Sequence, residues 1–136
     1  MTIQPLDTAD ATTASAVFDL TYDLPRPPLT MNDWRNAHWR TKHDTKQRLA
    51  WLTREALQRT PVPRLTRARI TVTQHAPDRR RRDPDGLSAF RKDVLDAIVR
   101  AGVLPDDNRD HVVDGGNFIE HDPRNPRITV RIEALP

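Results

Sequence analysis

The chain contains no cysteine. That excludes disulfides, thiolate zinc sites, iron–sulfur clusters and cysteine nucleophiles. Glycine is scarce, at four in 136 residues, and no Gly-rich phosphate loop is present. Neither an HExxH pattern nor a convincing Ser–His–Asp arrangement occurs. Aromatic residues make up 5% and apolar residues 36%, against 30% charged, so a modest core under a heavily charged surface is expected. No apolar run approaches the roughly 18–20 residues that span a bilayer. The N-terminus lacks the basic patch and apolar stretch of a signal peptide. These absences point to a soluble, cytoplasmic protein with no membrane association. The length suits one domain over residues 16–136, preceded by a mobile tail, residues 1–15, rich in Thr, Ala and Asp.

Charge is unevenly spread behind a net of +3. Residues 1–25 carry four acids and no base, and residues 83–136 carry 11 acids against seven bases. Between them, residues 26–82 carry 15 Lys/Arg against four Asp/Glu, a local net of +11. Such density is the electrostatic footprint of a polyanion binder, although an ordinary solvated surface accounts for it equally well. A protein that merely coats nucleic acid gains nothing by facing it with carboxylates. The acids after residue 82 therefore call for a cation between themselves and a polyanion.

Val17 to Leu24 alternates and predicts a strand with Phe18, Leu20 and Tyr22 on one face. Pro25, Pro27 and Pro28 stop it. Asn32 or Asp33 is a candidate cap for a helix over about Asn36–Arg59. Its C-terminal half offers Leu49, Leu52 and Ala56 to a core, while its first half is basic, with His38, Arg40, Lys42, His43, Lys46 and Arg48. Such a helix packs by one end and presents the other to solvent or a ligand. Ala68–His75 alternates as a second strand, and a polar loop, Pro77–Asp85, comes after it. Leu87, Phe90, Val94 and Ile98 place a second helix over Gly86–Ala101, closed by Gly102. A hairpin is expected next, with strands His111–His121 and Arg127–Glu133 joined through Pro123, Asn125 and Pro126. The order β-α-β-α-β-β predicts an α+β domain, a small mixed β-sheet with two main α-helices. Trp34, Trp39 and Trp51 read as core or interface residues rather than base-stacking platforms. His38 and His43, five apart, suit a surface or DNA-backbone contact better than a metal site.

The chemistry-bearing segment is Arg79-Arg80-Arg81-Arg82-Asp83-Pro84-Asp85-Gly86-Leu87. On an extended chain Asp83 and Asp85 point to one side and can share a hard cation. The alternative is a polar turn in which Asp85 caps the next helix. From Asp85 to Lys92 is about 700° of helical turn, and Asp96 lies four residues further, so the three form a polar stripe. Its plainer reading is a surface Lys–Asp pair. Asp106-Asp107 lies beyond in a short loop, informative only if that loop returns to Asp83 and Asp85. Together, four carboxylates, a lysine and an arginine run point to Mg²⁺-assisted phosphodiester cleavage. Mg²⁺, with Mn²⁺ as a substitute, takes oxygen ligands from carboxylates and phosphate. Arginines hold phosphates through paired hydrogen bonds. Arg79, Arg80, Arg81, Arg82, Arg40, Lys42 and Lys46 are the DNA-contacting candidates.

Three pieces in order, Arg80-Arg81-Arg82-Asp83-Pro84-Asp85-Gly86-Leu87, Lys92-Asp93-Val94-Leu95-Asp96-Ala97-Ile98 and Ala101-Gly102-Val103-Leu104-Pro105-Asp106-Asp107, resemble the RusA-type Holliday junction resolvases. Pro27-Pro28-Leu29-Thr30-Met31-Asn32 and the basic helix with His38-Trp39 fit the same pattern, so the resemblance spans about residues 24–133. It implies a RusA-like fold and a small homodimer, bacterial or phage-encoded, that cuts four-way DNA junctions with Mg²⁺ in recombination and repair. By position it implies Asp83, Asp85 and Asp107 as essential carboxylates, Asp106 as an accessory metal-binding acid and Lys92 as the catalytic lysine. Gly86 departs from the family's usual Asn, and Lys92 lies seven residues after Asp85 where the family commonly has four. Two other readings stand beside this one. One is a branched-DNA-binding module of the same fold that cuts poorly. The other is an Mg²⁺-dependent nuclease acting on RNA or flaps.

Overall fold

Alternation of apolar and polar residues builds most of the sheet. The computed structural model describes residues 16–136, and the expected tail, residues 1–15, lies outside the described residues. In chain order the elements are β1 (Val17–Tyr22), α1 (Met31–Asn36), α2 (Trp39–Arg59), β2 (Ala68–Ala76), a 3₁₀ turn (Pro84–Leu87), α3 (Ser88–Arg100), β3 (Val112–His121) and β4 (Arg127–Ala134). The strands form one mixed sheet in the order β1-β4-β2-β3. β4 runs antiparallel to both β1 and β2, and β3 runs parallel to β2. The expected α+β class and mixed sheet are present.

The last two strands do not form the expected hairpin. Their extents match the sequence reading, but β2 lies between them. Burial explains the exchange. In β4, Ile128, Val130, Ile132 and Ala134 are all buried, and a strand that apolar gains most from a central place. β3 carries Asp114, Gly115, Gly116 and Asn117, has no fully buried residue, and takes an edge. Residues 122–126 cross the end of β2, where the Asp122 N–H donates to the Ala76 carbonyl at 2.8 Å.

Among the described residues three α-helices replace the expected two. Thr30 caps α1 through a reciprocal box: its hydroxyl accepts from the Asp33 N–H at 3.1 Å, and the Asp33 carboxylate accepts from the Thr30 N–H at 3.3 Å. Ala37 and His38 then adopt extended backbone and break the helix. His38 restarts it as cap of α2, its Nδ1 accepting from the Arg40 N–H at 3.1 Å. The second expected helix begins as a 3₁₀ turn and becomes α-helical only at Ser88.

The core lies between one sheet face and the helices. Leu20, Tyr22, Ile70, Val72, Ile128, Val130 and Ile132 meet Leu49 and Ala56 of α2 and Phe90, Val94 and Ile98 of α3. The Tyr22 hydroxyl is buried, and burial raises its pKa; it and the buried Thr53 hydroxyl satisfy each other at 2.8 Å. The Tyr22 and Phe90 rings pack edge to face, 5.3 Å between centroids. None of the tryptophans enters this core, contrary to one expectation: Trp39 and Trp51 are 65% and 52% exposed, and Trp34 is half-buried. Among the described residues no helix is long and apolar enough to cross a membrane.

The outward sheet face is polar and internally paired. His75 Nε2 lies 3.0 Å from the Thr129 hydroxyl, with Glu120 at 3.9 Å. Burial, and then the neighbouring Arg127, lower the His75 pKa below its ordinary value of 6.5. The unfolded chain therefore binds this proton first. Stability from His75 is full above pH 6.5 and is lost as pH falls from there through the depressed folded value. Urea unfolding at pH 7.5 and pH 5.5 should show a smaller pH-dependent loss for His75→Gln than for the parent.

Candidate functional site

Asp83 and Asp85 stand where the chain leaves the C-terminal end of β2 and turns into α3. The loop before them is shaped by its own charges. The Asp78 carboxylate accepts from the Arg80 N–H and from the Arg82 guanidinium, both at 2.9 Å, and these bonds lower its pKa. Arg82 also donates to the Asp78 and Arg80 carbonyls at 3.0 Å each, so it ties the loop together. Asp83 caps the 3₁₀ turn, its Oδ1 accepting from the Asp85 N–H at 3.0 Å. Asp85 Oδ1 accepts from the Ser88 hydroxyl at 3.1 Å. The segment is thus a capped turn rather than extended chain, and the cap is Asp83, not Asp85. Pro84 at the first position of the turn favours that geometry.

The two carboxylates nonetheless share one hollow of about 420 Å³. Arg26, Arg35, Arg80, Arg81 and Arg82 line it with them; Arg79 does not. Each aspartate leaves its Oδ2 without a protein hydrogen bond among the described residues. Mg²⁺ is commonly held by one or two carboxylates, waters and a substrate phosphate, and this pair of hard oxygen donors beside arginines fits that pattern. Gly86 adjoins them, and a Cβ there would meet only the Thr30 Cβ at 3.9 Å, so a larger side chain has room.

Asp106 and Asp107 do not join this pair. They come after α3, whereas Asp83 and Asp85 precede it, and 13 residues of α-helix rise about 18 Å. Hydrogen bonds from Leu65 to Val103 (2.7 Å) and from Ala68 to His111 (2.9 Å) anchor their loop at the opposite end of β2. Among the described residues no group of three His, Asp or Glu side chains is arranged to hold a metal ion.

Lys92 and Asp96 share a second hollow, beside the first, with Trp34, Lys42 and Lys46. Asp85 is not part of it. A 3₁₀ turn advances about 120° per residue against 100° in an α-helix, so the expected stripe from Asp85 is rotated apart. Asp96 pairs with Lys46 at 3.1 Å. Arg40, at the start of α2, lies over the exposed Trp39 ring at 5.5 Å.

Three lining residues escaped the sequence reading. Arg26 and Arg35 come from β1–α1 and carry no local motif. Gln74 was visible: it is the one polar residue in the inward register Ala68, Ile70, Val72, Gln74, Ala76. It is 4% exposed, its amide donates to the Pro25 carbonyl at 3.0 Å, and its Oε1 makes no protein hydrogen bond among the described residues. Gln74 lines the hollow, and a buried amide oxygen without a protein donor is a ready acceptor for a water or a ligand donor.

Neither the models of known protein families nor the curated proteins compared with this chain match it.

Proposed function

We propose that the chain is an Mg²⁺-dependent, structure-selective endodeoxyribonuclease that acts as a homodimer on four-way DNA junctions in recombination and repair. The observation carrying this reading is the hollow in which Asp83 and Asp85 stand among five arginines. The surplus positive charge attracts a phosphodiester, and guanidinium groups grip its oxygens in pairs. The carboxylates would repel that phosphate unless they hold a cation. Bound Mg²⁺ supplies a Lewis acid for the phosphoryl oxygen and lowers the pKa of a bound water. Asp83 and Asp85 would hold it, and Gln74 Oε1 would orient a proton-bearing ligand beside them. The branched substrate, and the roles of Lys92, Asp106 and Asp107, rest on the resemblance to the RusA-type enzymes.

In this reading one chain is incomplete. Asp107 is separated from Asp83 and Asp85 by the length of α3, so the second subunit must bring its own copy to the hollow. That is directly testable by mixing two inactive variants. Asp85→Asn and Asp107→Asn subunits, unfolded and refolded together, should regain nicking of a four-way junction, because mixed dimers contain one intact composite site. Absence of regained nicking, with mixed dimers demonstrated by mass, would exclude a shared site.

The same separation favours a second reading, a branched-DNA-binding module with weak or no cleavage. It predicts tight junction binding with no product at any Mg²⁺ or Mn²⁺ concentration. A panel of four-way, flap and RNA substrates with Mg²⁺ distinguishes these readings.

A further inference from the structure

Helix α1 is a ridge between two hollows. Its Met31 lines both. Asn32 and Arg35 face the Asp83/Asp85 hollow, and Trp34 faces the other, of about 470 Å³, enclosed by α1, α2 and α3. The ridge is fixed at both ends, by the Thr30–Asp33 box and by the Ala37 N–H donating to the Trp34 carbonyl at 3.2 Å. Trp34 is therefore held in place, yet it is half-buried and packs into no core.

What covers its ring is a lysine. Lys42 Nζ sits 3.9 Å from the ring centroid. A lysine side chain is flexible and can be displaced by a better partner for the aromatic face. Lys92 lines the same hollow, and neither it nor Lys42 has a carboxylate partner within 4.0 Å among the described residues. Asp93 and Asp96 stand opposite. A rigid aromatic face with unpaired cations at its rim matches a planar group that carries a phosphate. The two carboxylates disfavour a phosphate deep in the hollow and instead offer acceptors to the amino edge of a base.

Building on the nuclease reading, we propose that this hollow takes an unpaired nucleotide of the same DNA strand that lies across Asp83 and Asp85. The base stacks on Trp34 in place of Lys42, and Lys42 and Lys92 hold the adjoining phosphate. The site therefore selects DNA with unstacked bases, as at a branch point, over continuous duplex.

The test uses the full chain with Trp39→Phe and Trp51→Phe, which leaves Trp34 as the only tryptophan. Both replaced rings are exposed on α2, so the fold should be unaffected. A labelled oligodeoxycytidylate, whose bases carry the amino edge that Asp93 and Asp96 would accept from, is titrated in EDTA, where no cleavage occurs, with anisotropy reporting binding and Trp34 emission reporting stacking. Saturable quenching that tracks binding is the expected result. Trp34→Ala should weaken binding about tenfold and Trp34→Phe much less, since stacking depends on the ring. Lys42→Met, which spares the ring, should lower the salt dependence by about one phosphate contact. Binding with unchanged Trp34 emission, equal affinity of the Trp34→Ala variant, or no oligonucleotide binding would each overturn the proposal. Quenching with no junction nicking under Mg²⁺ would remove the nuclease reading and leave the nucleotide site standing.

Discussion

Asp85→Asn is expected to reduce Mg²⁺-dependent nicking of a four-way junction on the order of 10³-fold, the factor that about 4 kcal/mol of lost transition-state stabilisation produces. Junction binding should persist or tighten. The substitution keeps an oxygen able to accept the Ser88 hydroxyl, which Asp85 Oδ1 accepts at 3.1 Å, so the turn into α3 is retained. What it removes is a negative charge from a hollow that five arginines line. An aspartate that merely shaped the turn would therefore tolerate Asn. Asp83→Asn should behave alike, since asparagine is an equally good cap. Gel assays of nicking and of binding in Ca²⁺ or EDTA separate the two effects. Unchanged nicking by Asp85→Asn would remove this hollow as the catalytic site.

The largest expected effect on stability belongs to Arg91, on the inner side of α3. Its guanidinium reaches the Ile70 carbonyl at 2.6 Å and the Gly116 carbonyl and Asn117 Oδ1 at 3.2 Å each. It also pairs with Asp114 at 2.9 Å. These contacts clamp α3 to β2 and β3 where the β2–β3 register shifts and Gly116 takes φ +100°. Arg91→Met keeps the aliphatic stem but leaves the acceptors without their charged donor. The expected cost is about 3 kcal/mol, since hydrogen bonds to a charged group contribute about 1.5–3 kcal/mol each and are not additive. The exposed Asp114 adds little to that figure. A fall in melting temperature on the order of 10 °C should accompany it. Arg91→Lys should recover little, because one ammonium cannot reach several acceptors in a fork. Chemical denaturation of the parent and both variants checks this, and a loss below about 1 kcal/mol would show the clamp to be dispensable.

Arg91 also marks the limit of sequence reading. It sits beside Lys92 in a run of charged residues, and nothing local distinguishes the side chain that is 12% exposed from its exposed neighbour. Its importance depends on a bulge in β3, two glycines and a carbonyl of β2, all distant in sequence. Helix α1 eluded the reading for a related reason. Six residues cannot hold a helix alone, and α1 is held by its cap and by packing against the 3₁₀ turn and α3. The pairing of Asp83 with Asp85 was legible because the two lie two apart, although the geometry that joins them is a capped turn.

By itself, the sequence determined the strands, the two long helices and the inward residues Leu20, Ile70, Phe90, Val94 and Ile98, because burial imposes a period that local pattern records. It also determined that a dense basic segment leads directly into paired carboxylates. Only the tertiary structure decided that β2 separates β3 from β4, since strand order depends on which strand buries most apolar surface, a comparison between segments. It alone decided that the loop carrying Asp107 is anchored at the far end of β2 and does not return to Asp85, and that Trp34 stands on a ridge beside Asp85. Those placements arise from a parallel β2–α3–β3 connection, in which the loop entering the helix and the loop leaving it stand at opposite ends of the sheet.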